Sequence, residues 1–342
     1  MVQNKSHRYS RQERFSSIGI EGQRHLSASR ALLCGCGALG SVIAERLARA
    51  GVGYLRIVDR DWVELSNLQR QALFTEAHAR ESSPKAIAAQ QELQKINSDI
   101  EIDAVVEDIT FANISSLITG CDLVVDGTDN FETRFLINDY CLKFGIPWVH
   151  GGCLGASGQV MTIIPGKTAC FRCLVPELPP RDALETCDSA GVLGPAVGLI
   201  ACWQAAEAIK ILSGNAASVS QGLIVLDSWN TDCRILGLKR NETCVACGLD
   251  QYDFLDGRIR TDATILCGKN AVQVDSPHLQ GEALARVAEK LAPLGRVTLN
   301  AYFVRIQLGE FMLTVFKGGR TIVEGTTEIA EAKTLIARTL GT

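Results

Sequence analysis

The 342-residue chain is 46% hydrophobic and 21% charged, a globular composition with enough apolar material for a sizeable core and room for one large domain plus a small one. A formal net charge of −4 leaves no basic footprint for nucleic acid. The polar start Met1–Ser10 lacks the apolar stretch of a signal peptide.

The segment from Leu26 leads into a short apolar strand ending at Leu33. The loop Gly35-Cys-Gly-Ala-Leu-Gly40 follows, then a helix from about Ser41 to Ala50 with Val42, Ile43, Leu47 and Ala50 on one side. Tyr54–Val58 reads as a second strand, which makes a strand–turn–helix–strand unit of a parallel sheet. Helices over 85–96, 114–118 and 131–144 alternate with strands over 100–106, 122–126 and 147–150. That alternation predicts a doubly wound, Rossmann-like α/β fold with a mostly parallel sheet. From Gln159–Ile164 the pattern turns to strands, and Leu223–Asp227 and Arg234–Leu238 alternate like antiparallel neighbours around a helix over 195–212. The apolar stretch Val192–Ala206 is broken by Gly194, Pro195, Gly198 and Gln204, which reads as too short and too interrupted to span a bilayer. A soluble, cytoplasmic protein is expected. After Gly248 the pattern changes. Strands over 264–267, 302–308 and 311–316 with amphipathic helices over 282–291 and 328–339 predict a separate small α+β domain. The expected division is 1–250 and 262–342.

Gly35-x-Gly37-x-x-Gly40 sits after a strand and opens a helix, where glycines admit phosphate close to the backbone and the helix start offers N–H groups. The alternative is a tight turn with no ligand. Asp59 ends the second strand, the position of a carboxylate that accepts from ribose hydroxyls; Asp61 is less well placed. Ser66-Asn67-Leu68-Gln69-Arg70 and Lys85 follow within one phosphate-sized neighbourhood, with Arg70 and Lys85 as phosphate donors. Asp126-Gly-Thr-Asp129-Asn130 follows a buried apolar strand. There Asp129 is a candidate Mg²⁺ ligand, the competing role being a cap for the next helix.

In a chain of this size without an export signal, thirteen cysteines read as metal ligands, nucleophiles or core residues. Cys170-Phe-Arg-Cys173 and Cys244-Val-Ala-Cys247 are two knuckles able to form a structural tetrahedral Cys₄ zinc site. Redox-active pairs are the weaker reading. Cys187 lies in a loop of small residues before a helix, where a thiol is either a reactive nucleophile or an inert loop residue. Cys34, Cys36, Cys121, Cys141, Cys153, Cys202, Cys233 and Cys267 read as small buried hydrophobes.

Together with Arg8–Gln12, these motifs resemble the ThiF/MoeB/HesA family of ubiquitin-activating-enzyme-like adenylyltransferases over about the first 250 residues. The likeness is greatest to the ThiF type of thiazole biosynthesis with a C-terminal extension. The resemblance implies ATP-dependent adenylation of the C-terminal Gly-Gly carboxylate of a ThiS-like, ubiquitin-fold sulfur carrier, with release of pyrophosphate. It implies that Arg70, Lys85 and Mg²⁺ on Asp129 offset phosphate charge. Asn67 would orient the phosphates, and Gly35, Gly37, Ala38, Gly40, Asp59, Ser66, Leu68, Gln69 and Asn130 would line the ATP site. It further implies that Arg11 reaches the nucleotide site of a second subunit in a homodimer, and that Cys187 stands where some members link covalently to the carrier. Ala38 replaces a glycine of the family loop. The C-terminal domain carries no rhodanese loop, so a separate sulfur donor such as a cysteine desulfurase is expected. The same chemistry on a MoaD-like carrier of molybdopterin biosynthesis is a sibling expectation. An NAD-dependent oxidoreductase would explain the glycine loop but not Asn67, Arg70, Lys85 and Asp129. A non-catalytic carrier-binding scaffold would lack those phosphate-handling groups.

Overall fold

The computed structural model describes residues 8–180, 190–259, 263–266, 270–276, 279, 282–317 and 319–341. The chain divides into two units, Met1–Ile259 and Arg260–Thr342.

Unit 1 begins with helices α1 (Ser10–Glu13) and α2 (Gly19–Ala28). Strand β1 (Arg30–Cys34), helix α3 (Ala38–Ala50) and strand β2 (Tyr54–Val58) follow. Helices α4 (Glu76–Arg80) and α5 (Lys85–Ile96) then lead to β3 (Glu101–Val105), α6 (Ile114–Ile118), β4 (Leu123–Asp126), α7 (Phe131–Phe144) and β5 (Trp148–Leu154). The second half holds β6 (Ser157–Ile163), α8 (Phe171–Leu174), α9 (Gly194–Leu212), β7 (Gly222–Asp227) and β8 (Asp232–Gly237).

The eight strands form one sheet in the order β3-β2-β1-β4-β5-β6-β7-β8. It is parallel from β3 to β5 and antiparallel from β5 to β8. The parallel half is apolar on both faces, as a sheet covered by helices must be. Along β1, Ala31 and Leu33 face one core with Ile43, Leu47, Ala89 and Ile200. Leu32 and Cys34 face the other, with Ile118, Phe135 and Phe171. Each fully buried Leu or Ile contributes about 1.5–3 kcal/mol.

The boundaries around the glycine motif differ from the sequence reading, and β5 runs on to Leu154 rather than ending at His150. Leu26 lies in α2 rather than leading into a strand, because Gly22, Gln23 and Leu26 form the one buried face of an otherwise polar helix. Helix α3 starts at Ala38, with Gly37 as its N-cap, so the glycine motif supplies its first turn. Helix α9 corrects the membrane argument. At 19 residues with a mean hydropathy of 1.3 it is long and apolar enough to cross a bilayer, because Gly194 and Pro195 start it rather than interrupt it. It is half buried, and its inner side carries Gln204 and Glu207 as well as Val197, Ile200 and Ala208.

Unit 2 contains β9 (Ala263–Leu266), β10 (Ala271–Asp275), α10 (Leu284–Leu291), β11 (Val297–Leu299), β12 (Phe303–Leu308), β13 (Phe311–Phe316), β14 (Arg320–Glu324) and α11 (Ile329–Leu340). Its strands pair antiparallel in the order β11-β12-β13-β14-β10-β9. Val272, Val304, Leu313 and Val323 pack with Val287, Leu291, Ala332 and Ile336 in a core of its own. Strands β10, β11 and β14 escaped the sequence reading.

Candidate functional site

The strand order changes direction between β1 and β4, the switch point of a doubly wound sheet, where the loops after the two strands part to leave a ligand crevice. Here the two loops touch through backbone. Gly35 has φ +83, and a Cβ there would lie 2.9 Å from the Gly127 carbonyl oxygen. A Cβ on Gly40 would lie 2.1 Å from the Gly35 carbonyl oxygen, so only glycine closes this loop. Gly37 differs: its missing Cβ would meet only Gln71 Nε2, at 3.9 Å, which leaves open space at the start of α3. Ala38 is helical and does not belong to the described non-glycine residues with positive φ. Its methyl therefore imposes no backbone strain.

Asp59 is buried at the end of β2. Its carboxylate accepts from Cys36 N–H at 2.6 Å and from Asp61 N–H at 2.7 Å. It thus ties the glycine loop to the next loop, and is no solvated strand end. The chain after β2 is pinned to the start of α5: Trp62 bridges Pro84, Val63 N–H donates to the Ser83 carbonyl, and Lys85 N–H to that of Asp61. That pinning seats Lys85 at the first position of α5, buried, with Nζ 3.3 Å from Asp61 Oδ2. Burial alone would lower the Lys85 pKa, but Asp61, Asp59 and Asp129 outweigh it and hold the ammonium well above its usual value. Arg60 behaves alike, its burial overcome by Asp108 at 2.7 Å, Asp61 and Asp129. The Asp59 carboxyl is raised by burial and Asp61 despite Lys85. Two cations thus face a group of carboxylates that includes Asp129.

Asp129 is exposed. It is not the cap of α7; Asn130 is, its Oδ1 accepting from Thr133 N–H at 2.8 Å. Asn130 thus caps α7 next to Asp129, which is left without that capping role. Asn67 and Arg70 lie at the short 3₁₀ turn 65–67 and just after it, with Arg70 Nη1 donating to the Ser66 carbonyl at 2.9 Å. Ser66 and Gln69 are exposed, and Leu68 packs on the core. Arg11 is exposed on α1. Cys187 lies outside the described residues.

Beneath the turn after β4 lies a polar cluster that the sequence reading missed. Asp126 and His150 are fully buried, with Asp126 Oδ2 2.8 Å from His150 Nδ1. Burial would raise the Asp126 pKa, but Arg134, His150 and Thr128 bring it below the usual value. Burial pushes His150 down, and the Asp126 hydrogen bond does not fully restore it. The pair is therefore an aspartate facing a neutral imidazole whose Nδ1 carries the proton. The legible hint was the position of His150 in the strand after the Asp126 motif.

The four knuckle cysteines converge. Their sulfurs all lie within 4.8 Å of one another. Cys170–Cys173, Cys170–Cys244 and Cys173–Cys247 are 3.8, 3.6 and 3.4 Å apart. A tetrahedral Zn–thiolate site needs sulfurs about 3.8 Å apart, so donor set and spacing fit a closed Cys₄ ion site. Cys170 caps α8 and Cys173 lies within it, after β6; the second pair follows β8. Cys34, Cys36, Cys121 and Cys141 are buried as expected, but Cys202 and Cys233 are exposed and Cys153 is half-buried. The apolar neighbours of Cys202 in sequence lie on the inward side of α9, whereas Cys202 itself is on the outward side. Cys267 lies outside the described residues.

Comparison with protein families matches residues 9–246 to the ThiF family. The Bacillus subtilis sulfur carrier protein ThiS adenylyltransferase is 40% identical over 336 residues, 98% of this chain and 99% of that protein. The adenylyltransferase and sulfurtransferase MOCS3 of Arabidopsis thaliana is 39% identical over 71% of this chain and 52% of that protein. The SAMP-activating enzyme E1 of Haloferax volcanii is 36% identical over 73% and 91%. Among solved structures, E. coli MccB with MccA-N7isoASN shares the fold at TM-score 0.64 and 23% identity, covering 72% of this chain and 76% of that one.

Proposed function

Because the chain belongs to the ThiF family, we propose that it adenylates the C-terminal carboxylate of a ubiquitin-fold sulfur carrier. The carrier class is ThiS-like, since the Bacillus relative matches nearly the whole of both chains. An adenylyltransferase is what such membership entails, and the oxidoreductase reading falls away. A MoaD-like carrier is the second reading, favoured by the MOCS3 likeness over the first unit.

The observation that carries the proposal is the convergence of Lys85, Asp59, Asp61 and Asp129 beside the open start of α3. A carboxylate oxygen of the carrier bonds to the α-phosphorus of ATP. The bond to the bridging oxygen breaks, and pyrophosphate leaves with its electron pair. The nucleophile is already an anion, so no base is required. The barrier is the meeting of like charges, which fixed cations and N–H groups in a partly buried crevice offset. Lys85, held protonated by its carboxylate neighbours, is the cation best placed, and Arg70 is the second. Asp129 would hold Mg²⁺, which supplies charge neutralisation at the phosphates when bound. Asp59 and the glycine loop would seat the nucleoside, and Asn67 the phosphates. Arg11 would complete the site of a second copy in a homodimer. The Cys₄ site takes zinc as a structural staple. Cys187 is retained as a candidate link to the carrier, and sulfur comes from a separate donor.

ATP–pyrophosphate exchange measured in parallel with a ThiS-like and a MoaD-like carrier tests this reading. Faster exchange with the ThiS-like carrier is expected; a preference for the MoaD-like one would transfer the assignment to the second reading.

A further inference from the structure

The turn 127–130 has no regular structure of its own, yet it presents Asp129. What holds it is a set of side chains from four elements, β4, α7, β5 and α9. The Asp126 carboxylate accepts from Thr128 N–H at 2.9 Å and from Thr128 Oγ1 at 2.6 Å. Arg134, from the first turn of α7 and largely buried, donates through Nε to Asp126 Oδ2 at 3.2 Å. Its Nη2 reaches the Thr128 carbonyl at 2.6 Å and the Gly151 carbonyl at 3.3 Å. His150 on β5 meets the same Asp126 oxygen, Oδ2, at 2.8 Å, and Phe171 packs on His150 with ring centroids 4.8 Å apart. From α9, Gln204 Nε2 donates to the Asp126 carbonyl at 2.7 Å. The guanidinium thus spans the turn and the neighbouring strand, a geometry that one ammonium cannot reproduce.

We infer that Arg134, seated on Asp126 and His150, is a positioning residue that fixes the 127–130 turn and thereby the place of Asp129 in the crevice. The inference rests on the role given to Asp129 above. Among the described residues, Arg134 hydrogen-bonds to Asp126, Thr128 and Gly151 and not to Lys85 or the glycine loop. It acts through the turn, and a side chain displaced by about 1 Å at a reacting centre can lower rates on the order of 100-fold.

The test uses the full chain with two variants that keep charge balance: Arg134→Lys, which retains a cation beside Asp126 but loses the fork, and Thr128→Val, which removes one tether at constant shape. The first readout is amide hydrogen exchange of the protein without nucleotide. Both variants are expected to exchange faster, on the order of 10-fold, at 127–130, with β1, β2 and β4 unchanged. The second readout separates KM from kcat in carrier-dependent exchange. Both variants are expected to raise the KM for ATP on the order of 10-fold at an unchanged fraction of folded protein. Unchanged protection at 127–130, or loosening spread evenly over the sheet, would overturn the inference. So would a fall in active fraction with KM unmoved. If Asp129→Ala leaves exchange intact, the role of Asp129 fails instead. The ligand-free hydrogen-exchange measurement still decides whether Arg134 holds the turn.

Discussion

At the scale of single residues, the site is a balance of charges, with Lys85 and Asp59 buried and Asp129 exposed. Lys85 faces three carboxylates, so Lys85→Ala removes the cation and leaves them in mutual repulsion. Carrier-dependent exchange should fall at least about 100-fold, as when a preorganised charge-stabilising group is removed; a fall of less than about threefold would show that phosphate is handled elsewhere. A second residue predicts a pH effect. Asp139 is fully buried, and burial pushes its carboxyl up to about 6, although it accepts from Phe254 N–H at 3.0 Å. In the unfolded chain it titrates near 3.9. Between those values the folded state binds the proton more tightly, so stability falls as pH rises from about 4 to 6 and stays lower above. The full effect is about 3 kcal/mol. Asp139→Asn should flatten that slope in urea midpoints taken from pH 4 to 8; parallel profiles would contradict it. Lys85 and Asp129 could be picked out as candidates from sequence, Lys85 at a helix start and Asp129 just after a strand. The grip of Asp61 on Lys85 was not legible, because it depends on the pairing of residues 61–63 with 83–85, a long-range contact without periodicity. The clustering of Asp126, Arg134 and His150 was hidden for the same reason: β4, α7 and β5 bring them together only in the fold.

At the scale of elements, α5, α6 and α7 were read to the residue. Helices α5 and α6 bury one side, α7 is buried all round from Thr133 to Cys141, and Pro84 and Asn130 mark the starts of α5 and α7. The start of α3 was misread because Gly37 ends a loop and caps a helix at once. The helix over 195–212 was read to within one residue, although Gly194 and Pro195, which open it, were counted as breaks in the apolar run. Strands β10 and β14 were missed because each is five residues long with polar residues among its apolar ones. The glycine loop gives a contrast between neighbours. Gly40→Ala places a methyl against the Gly35 backbone at 2.1 Å and should cost on the order of 3 kcal/mol. Ala38→Gly, at an unstrained helical position, should cost about 1 kcal/mol or less. Equal urea midpoints for the two would show that the loop relaxes around the added methyl.

At the scale of the whole molecule, unit 1 joins a crevice at the switch point of its sheet to a cysteine centre that ties the segment after β6 to the segment after β8. The two knuckles were legible as a pair because their spacing is local; that they meet across 74 residues is a property of the fold. Native mass spectrometry should find one zinc ion per chain, and Cys244→Ser should remove it. Losing a structural ion from a unit of this size should lower Tm by roughly 5–10 °C; a variant that keeps both ion and Tm would refute the staple. The central claim is the reaction, and pyrophosphate exchange into ATP tests it most directly. The account predicts exchange that requires a carrier ending in Gly-Gly and vanishes when the last glycine is removed. Exchange indifferent to the carrier tail, or none with a ThiS-like or a MoaD-like carrier, would contradict it.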